Sequence, residues 1–340
     1  MVTGGARAAA RHVARGRRSS GRRGHGTSTG AETVDSTSTV SGAVRIVSLV
    51  PHATELLFAL GLGDDVVAVT HECDHPPQAL TRPRVTRDVL PGGLSAGEID
   101  AAVRERTERG ESIYALDEPA LRELKPDLIV TQELCAVCAV SYTDVAKLAR
   151  TLPSAPKVVA LDPRTLGETM SDVRTIAQAT GARDAALALV ARQRARIDAV
   201  RIAVKNAPRR GVVALEWFDP VFVAGHWTPQ LIELAGGLDL LGFAGEHSEQ
   251  VPWEHVVAAA PEVVVCMPCG YDAPRARREA EDHVAQLRAT GATTVVAVDA
   301  SAYFSRPGPR LVDGLELLAH VLHPGLVAAP AAAQALPVAL

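Results

Sequence analysis

One long helix near the middle of the chain is the feature that most constrains the fold. Residues 184–205 carry apolar side chains at helical spacing and contain neither glycine nor proline. Asn206 and Pro208 then end the helix. Its 22 residues span roughly 33 Å at about 1.5 Å per residue, which is long for a crossover within one compact domain. The segment is therefore predicted to be a strut between two lobes.

The sequence before this strut is similar to the sequence after it. Each half begins with an apolar run, a loop that contains proline and an amphipathic helix that ends at glycine. The matched pairs are 45–63 with 211–237, 124–138 with 259–269, and 158–162 with 295–299. Three pairs in the same order indicate two copies of one unit. Because strands alternate with helices, we expect an α/β fold of two Rossmann-like lobes with parallel sheets, joined by one long rigid helix.

Composition agrees with two lobes and excludes some functions. A chain of 340 residues with 47% apolar residues can bury a core in each of about two domains. The net charge of −4 gives no basis for binding nucleic acid, and no apolar run reaches the roughly 18 residues of a membrane span. The predicted divisions are a disordered tail (1–43), an N-terminal lobe (44–180), the interlobe helix (181–208), a C-terminal lobe (209–325) and an Ala/Pro-rich tail that frays (326–340).

Residues 1–43 contain seven arginines among Ser, Thr and Gly, a composition typical of disorder. A secretory signal needs an apolar segment of about 7–15 residues after its positive start. Here the residues after the arginines are polar, and no cysteine near the start could carry a lipid. We therefore expect a cytoplasmic location; a start placed too far upstream would leave an extracytoplasmic location open.

The loops after the predicted strands hold all five cysteines of the chain. In parallel α/β sheets ligands bind beyond the carboxyl ends of the strands, so these loops line one cleft if the lobes face each other. Two C-x-x-C pairs, one in each lobe, predict a zinc or iron–sulfur site. The alternative is free thiols buried as small apolar residues. The candidate metal ligands are Cys73, Cys135, Cys138, Cys266 and Cys269.

Two further patterns bear on chemistry. The stiff segment 306–310 presents Arg306 and Arg310, which could form a salt-bridged corner or hold a phosphate or carboxylate. No Ser/His/Asp set and no paired carboxylates indicate catalysis, so we do not expect an enzyme. An enzyme of metal or tetrapyrrole handling on the same scaffold is the remaining alternative.

Several segments occur in the same order as in a known family. They are RIVSLVPHATELLFALG, CDHPPQA, LKPDLIV, FVAGHWTPQLIELAGG, VPWEHV and AYFSRPGPR, together with the strut. Through them, the chain from about 44 to 325 resembles the periplasmic binding proteins for vitamin B12 and ferric siderophores. The B12-binding branch is the more similar, because its members carry a D-x-P-P-Q-A segment after the second strand and an aromatic–Phe–x–Arg–x–x–Pro–Arg segment near the end.

The resemblance implies a non-catalytic protein that holds cobalamin or a related metal chelate between its lobes, with the corrin stacked on aromatic faces. The implied ligand contacts are His75, Trp217, Phe222, Trp227, Trp253, Tyr303 and Arg306. Exported members dock a permease through one surface glutamate per lobe. The matching position in the second lobe is Glu254, and in the first lobe the match falls at Pro119, beside Glu118. The missing export signal argues against an ABC permease as partner. The alternative function is direct metal or iron–sulfur binding by the cysteines in a cytosolic metal-handling or sensing role.

Overall fold

The computed structural model describes residues 44–133 and 141–340. The predicted tail (1–43) and the pair Cys135/Cys138 lie outside these residues. In chain order the strands are β1 (Ile46–Ser48), β2 (Val66–Ala68), β3 (Thr86–Asp88), β4 (Tyr114–Leu116), β5 (Leu128–Gln132), β6 (Lys157–Leu161), β7 (Arg210–Phe218), β8 (Val221–Val223), β9 (Gly237–Asp239), β10 (Glu249–Gln250), β11 (Val263–Cys266), β12 (Thr294–Val298) and β13 (Ala335–Pro337).

Helices separate most of these strands. In chain order they are α1 (Pro51–Ala59), α2 (Ala96–Glu108), α3 (Glu118–Leu124), α4 (Tyr142–Thr151), α5 (Leu166–Thr180), α6 (Arg183–Val204), α7 (Thr228–Leu234), α8 (Trp253–Ala258), α9 (Ala273–Asp282), α10 (Val284–Ala289), α11 (Ala300–Tyr303) and α12 (Leu311–Leu322). Short 3-10 turns cover Gly63–Asp65 and Pro77–Thr81.

The first lobe is built on a four-stranded parallel sheet in the order β2-β1-β5-β6. Its central strands are rich in Val, Ile and Leu because both faces of the sheet are covered. Helices α1 and α5 and the first half of α6 pack on one face, and α3 and α4 pack on the other. A separate antiparallel ribbon, β3 with β4, stands outside this sheet.

The second lobe contains a sheet in the order β10-β8-β7-β11-β12-β13, with β9 paired to the start of β7. Strands β7, β11 and β12 are parallel, as predicted. The hairpin β7–β8 and the strands β10 and β13 add antiparallel edges. One face packs on α7, α12 and the second half of α6, and the other packs on α8, α9 and α10.

The predicted strut is confirmed as α6, a continuous helix of 22 residues. Leu189 and Val190 belong to the core of the first lobe, whereas Val200 belongs to the core of the second. Arg196, between these two groups, donates to Asp313 (2.6 Å) and to both oxygens of Glu316 (2.8 and 2.6 Å) on α12. One helix therefore completes two cores.

The expectation that residues 326–340 fray is wrong. Strand β13 pairs antiparallel with β12, and Ala333 and Val338 are buried in the cores on the two faces of the second sheet. The edge of β12 offers unpaired backbone groups, and this non-local pairing overrides the loop-like Ala/Pro composition. Within the residues that the structure describes, no helix is both long and apolar enough to cross a membrane.

Candidate functional site

Two arginines of the second lobe join it to the first lobe. Arg310, at the start of α12, donates to both carboxylate oxygens of Glu55 on α1, at 2.9 and 2.6 Å. Arg306 donates to both carboxylate oxygens of Asp74 (2.5 and 3.3 Å) and to the backbone carbonyl of Glu72 (3.0 Å). Segment 306–310 therefore forms the salt-bridged corner that was one of the two predicted alternatives.

The two ion pairs differ in burial. The Glu55 side chain is 2% exposed, whereas that of Asp74 is 57% exposed. Burial on its own would lower the pKa of Arg306, but the bond to Asp74 and the charges of Asp74 and Glu55 raise it overall. Glu55 and Arg310 thus form a largely desolvated pair. Losing either partner would leave a buried charge with only a longer ion pair, from Glu55 to Arg306 at 3.6 Å or from Arg310 to Asp74 at 4.0 Å.

Close packing of the corner on α1 explains the glycine between its two prolines. A Cβ at Gly308 would lie 3.3 Å from the Glu55 carboxylate and 3.4 Å from the Cβ of His52. His52 is itself buried, and burial, followed by the charge of Arg306, lowers its pKa to about 3. The imidazole is therefore neutral at physiological pH and serves as packing beneath the corner.

A cavity of about 470 Å³ opens between the lobes beside the corner. Its lining is largely polar: Asp74, His75, Gly270, Asp272, Arg275, Asp299, Ser301, Ala302 and Arg310. Burial and then the charge of Arg310 lower the pKa of His75, so its imidazole is neutral at pH 7. The predicted ligand residue His75 is thus at the interlobe cavity, beside the predicted residue Arg306.

The second lobe contributes an aromatic wall at the carboxyl end of β7. The Trp217 ring packs edge-on against Tyr271, with 5.5 Å between centroids, and its indole N–H donates to the carbonyl of Asp219. The guanidinium of Arg275 lies 3.6 Å above the Tyr271 ring. Phe222 is half-buried on the adjacent strand β8. Tyr271 is itself buried, so the parts of this wall that a flat ligand can reach are the half-buried Trp217 and the exposed Arg275 guanidinium.

Two other aromatic residues predicted to contact ligand are engaged elsewhere. Trp227 is buried in the core, and its indole N–H donates to the carbonyl of Phe304 at 2.7 Å. Trp253 packs against Phe218 and stacks on His283, outside the interlobe cavity. Both placements correct the prediction, because helix-entry residues can face the core or the cleft and sequence does not distinguish the two.

Tyr303 lies close to the corner. Its hydroxyl donates to the carbonyl of Ala332 at 2.6 Å, and the guanidinium of Arg310 is 5.6 Å from its ring. The phenol is therefore occupied by the C-terminal segment, and only the ring face remains available for a ligand.

The described cysteines do not form a metal site. Cys266 lies on β11 and is completely buried in an apolar cluster, where burial raises the pKa of its thiol. Cys73 is buried, with its sulfur 3.0 Å from the hydroxyl of Thr54 and 3.1 Å from that of Thr70. Cys269 is exposed. Within residues 44–133 and 141–340, no three His, Cys, Asp or Glu side chains could hold one ion.

These placements correct the prediction that Cys266 lines the cleft. Successive residues of a strand point to opposite faces, and both faces of this sheet are covered by helices. The last residue of β11 therefore points into a core. Cys135 and Cys138 lie outside the described residues, so their predicted role stays a prediction.

The two glutamates matched to permease-docking positions occupy equivalent places in the two lobes. Glu118 is exposed in the first turn of α3, and Glu254 is exposed in the first turn of α8. Glu118 has only a weak ion pair, at 4.0 Å, with Arg122 one turn further along the same helix. Both carboxylates can thus meet a partner without leaving a buried contact.

Sequence reasoning assigned no role to three residues of the site: Glu55, Asp74 and Tyr271. Glu55 falls in the apolar stretch of α1, and a carboxylate in such a position is a signal that a cation must lie nearby. The identity of that cation was not accessible, because Arg310 is 255 positions away.

Two α/β lobes that share one rigid helix, with a largely polar cavity between them, define a bilobed solute-binding protein. The chain belongs to the periplasmic binding protein family, which matches residues 46–302. Members of this family bind solutes and are not enzymes.

Similar proteins support the fold over most of the chain. The vitamin B12-binding protein of Vibrio cholerae serotype O1 is 26% identical over 283 residues, which are 81% of this chain and 87% of that protein. The uncharacterized ABC transporter substrate-binding lipoprotein YvrC of Bacillus subtilis is 25% identical over 292 residues, 82% of this chain and 80% of that one.

Solved structures show the same fold. The periplasmic vitamin B12 binding protein BtuF of Vibrio cholerae has a TM-score of 0.60 at 24% identity, covering 82% of this chain and 96% of BtuF. A periplasmic heme binding protein from Pseudomonas aeruginosa has a TM-score of 0.65 at 21% identity, covering 87% and 98%.

The expected cytoplasmic location is wrong. The family is one of periplasmic binding proteins, the two solved structures are of periplasmic proteins, and YvrC is named a lipoprotein. The expectation rested only on the polar composition of residues 1–43. Similarity over most of the chain is stronger evidence. Docking to an ABC permease is normal for the family, so the missing signal does not argue against it.

Proposed function

We propose that the protein is the non-catalytic binding component of an ABC importer and holds a corrinoid between its lobes, outside the cytoplasm. The observation that supports this most is the cavity between the lobes, to which the first lobe contributes His75 and the second lobe contributes Arg275, whose guanidinium lies on Tyr271 beside Trp217. A flat macrocycle with polar side groups needs an aromatic face, a few convergent polar groups and little else.

The chemistry of each wall suits such a ligand. Trp217 is already packed on the buried Tyr271, so little side-chain entropy is lost when a macrocycle stacks on the accessible part of the Trp217 ring. The neutral imidazole of His75 can face a metal centre, because neutral imidazole is the commonest protein ligand of transition metals. Arg275 and Ser301 supply hydrogen-bond donors for amides or phosphate at the rim.

Haem is the second candidate, and His75 is the observation that favours it. A neutral imidazole at the interlobe cavity fits an iron centre at least as well as a cobalt centre. Relatives in fold include a heme binding protein, which is the reason to test haem beside the corrinoid.

Absorbance titrations with cyanocobalamin, dicyanocobinamide and hemin test both candidates. We expect saturable binding of cyanocobalamin, weakened at least tenfold in Trp217→Ala, because such a change removes an aromatic contact worth about 1.5 kcal/mol or more. Trp253→Phe is the matched control, since this tryptophan packs against Phe218 and His283 outside the cavity. Hemin binding that His75→Ala abolishes, without corrinoid binding, would replace the first candidate by the second.

Transport is tested separately from binding. We propose that Glu118 and Glu254 meet the permease, since each is exposed in the first turn of a helix in its own lobe. Glu118→Ala/Glu254→Ala should leave ligand affinity unchanged and abolish uptake with the partner permease. Unchanged uptake would remove the docking proposal while leaving the binding proposal intact.

A further inference from the structure

The segment between β3 and β4 is anchored at the carboxyl edge of the first sheet. The ribbon β3–β4 stands on the loop that follows β2: the Tyr114 hydroxyl donates to the Glu72 carboxylate at 3.1 Å, and its ring lies 5.3 Å from that of His71. This edge faces the second lobe, because Glu72 and Asp74 of the same loop bind Arg306. Helix α2 therefore leaves the first lobe on its cleft side.

Helix α2 reaches the second lobe at two points. The Arg104 guanidinium donates to the side-chain carbonyl of Gln250 at 3.0 Å. At the other end of the helix, a Cβ added to Gly97 would lie 3.1 Å from the Asp219 carboxylate, so the backbone there packs directly on Asp219. One helix of the first lobe thus crosses to the second on the side that bears the aromatic wall.

The residues that α2 contacts belong to the structure that carries the ligand-facing aromatics. Asp219 is the turn of the β7–β8 hairpin, and its carbonyl accepts the Trp217 indole N–H. Gln250 pairs with Phe222 across β10 and β8. Helix α2 therefore lies against the hairpin that carries Trp217 and Phe222.

The attachment of α2 is weak compared with its internal stability. Only Ala96 of its 13 residues is buried. The helix is stabilised from within by a capping box between Ser95 and Glu98 and by the Arg104–Asp100 ion pair at 2.7 Å. It can therefore remain largely helical when it separates from the second lobe, although an undocked helix of this length is only marginally stable in water and exchanges its amides faster than a docked one.

Glycines flank the helix on both sides. Gly93 has φ +84° before α2, and Gly110 has φ +69° after it. Both angles lie in the left-handed region, which glycine adopts without strain, and neither position has a neighbour within 4 Å of an added Cβ. Two glycines with free space around them, one at each end of a helix that is stabilised by its own contacts, can act as a pair of hinges.

We propose that α2 is a hinged lid over the edge of the cleft, closed by the Arg104–Gln250 hydrogen bond and the contact of Gly97 with Asp219. The identity of the ligand that passes beneath the lid rests on the proposed function, but the opening of the lid does not. A ligand enters or leaves only when the contact between Arg104 and Gln250 has separated. Breaking it should therefore speed entry and exit together and change the dissociation constant little.

The test uses Gln250→Ala, which leaves α2 itself unchanged, with Glu249→Ala on the same strand as the matched control. In the ligand-free full chain, hydrogen–deuterium exchange of the α2 amides should rise roughly fivefold in Gln250→Ala, because one hydrogen bond to a charged group is lost. Exchange in Glu249→Ala should equal that of the wild type. Equal exchange in all three proteins overturns the lid.

Stopped-flow mixing with cyanocobalamin then gives the rates. We expect both the association and the dissociation rate constants of Gln250→Ala to rise roughly fivefold, with the dissociation constant within twofold of wild type. A larger dissociation constant with an unchanged association rate constant would show that the contact only stabilises the folded structure. That result would overturn the lid. If the wild type binds neither corrinoid nor hemin, the proposed function fails, and the exchange experiment alone decides whether α2 opens.

Discussion

The two lobes meet on two sides, and the two junctions are of opposite kinds. On the strut side, α6 belongs to both cores, Arg196 fixes it to α12, and Arg310 is paired with a nearly inaccessible Glu55. On the lid side, one hydrogen bond between exposed side chains and one backbone contact at Gly97 join α2 to the second lobe.

The difference separates two tasks. Buried contacts on the strut side fix the angle between the lobes, because separating them would expose apolar surface and leave charges uncompensated. The lid side can open at small cost, since it loses only contacts that water replaces. Access to the cleft is therefore expected to depend on a helix-sized movement rather than on a rotation of whole lobes.

The largest effect is expected on the strut side. Glu55→Gln should lower the free energy of unfolding by about 3–5 kcal/mol, because it removes the buried carboxylate that pairs with both Arg310 and Arg306 and leaves Arg310 only the exposed Asp74 at 4.0 Å. Asp74→Asn, at an exposed carboxylate, should cost about 1 kcal/mol or less. Urea titrations of both variants give the two values. Equal losses would show that burial does not distinguish the two ion pairs.

The stability of the strut side is also expected to depend on pH. Asp172 lies on α5; burial, followed by the charges of Asp162 and Glu168, raises its pKa to about 7. The folded state thus holds this proton more tightly than the unfolded state, whose pKa is about 3.9. The resulting stabilisation is complete below that value and is lost as the pH rises through 7.

Asp172→Asn tests this dependence. After screening by solvent we expect the variant to be about 2 kcal/mol more stable than the wild type at pH 8, and nearly equal to it at pH 4. Melting temperatures across pH 4–8 measure the difference. A gap between the two proteins that does not change with pH would mean that Asp172 is ionised throughout.

A smaller effect is expected on the lid side. Ser95→Ala removes the N-cap of α2 and should cost the helix about 1 kcal/mol. Because α2 contributes nothing to the buried clusters, we expect faster amide exchange in α2 alone and an unchanged global melting temperature. A fall in the global melting temperature would place α2 within the cooperative core.

The smallest effect should be on the overall shape. A continuous helix in place of hinge strands predicts that ligand binding leaves the angle between the lobes almost unchanged. Small-angle scattering with and without cyanocobalamin is expected to give the same radius of gyration within error. Clear compaction on binding would contradict the rigid strut.

The parts of the fold that sequence predicted are those set by local signals. The strut was visible because helical spacing runs unbroken over 22 residues. Strand β13 was missed because its pairing depends on β12, some 40 positions earlier, rather than on its own composition.

The candidate site was less accessible for the same reason. His75 and Arg306 were found through motif order, and the structure brings them to one corner. Trp253 was placed in the cleft although its ring packs on His283, because a residue at a helix start gives no local sign of which way it points. The direction of a side chain is set by tertiary packing, which no single segment of the sequence determines.

Helix α6 also constrains how the chain folds during synthesis and whether it can be divided into two fragments. The first lobe cannot close its core until Val190 has been synthesised, and the second needs Leu166, which precedes all of its strands. Neither 44–180 nor 209–325 holds a complete core. A gene cut between them would yield two fragments with exposed apolar faces, each of which could fold only on the other. Duplication could give rise to the two units, but the shared helix prevents them from separating again.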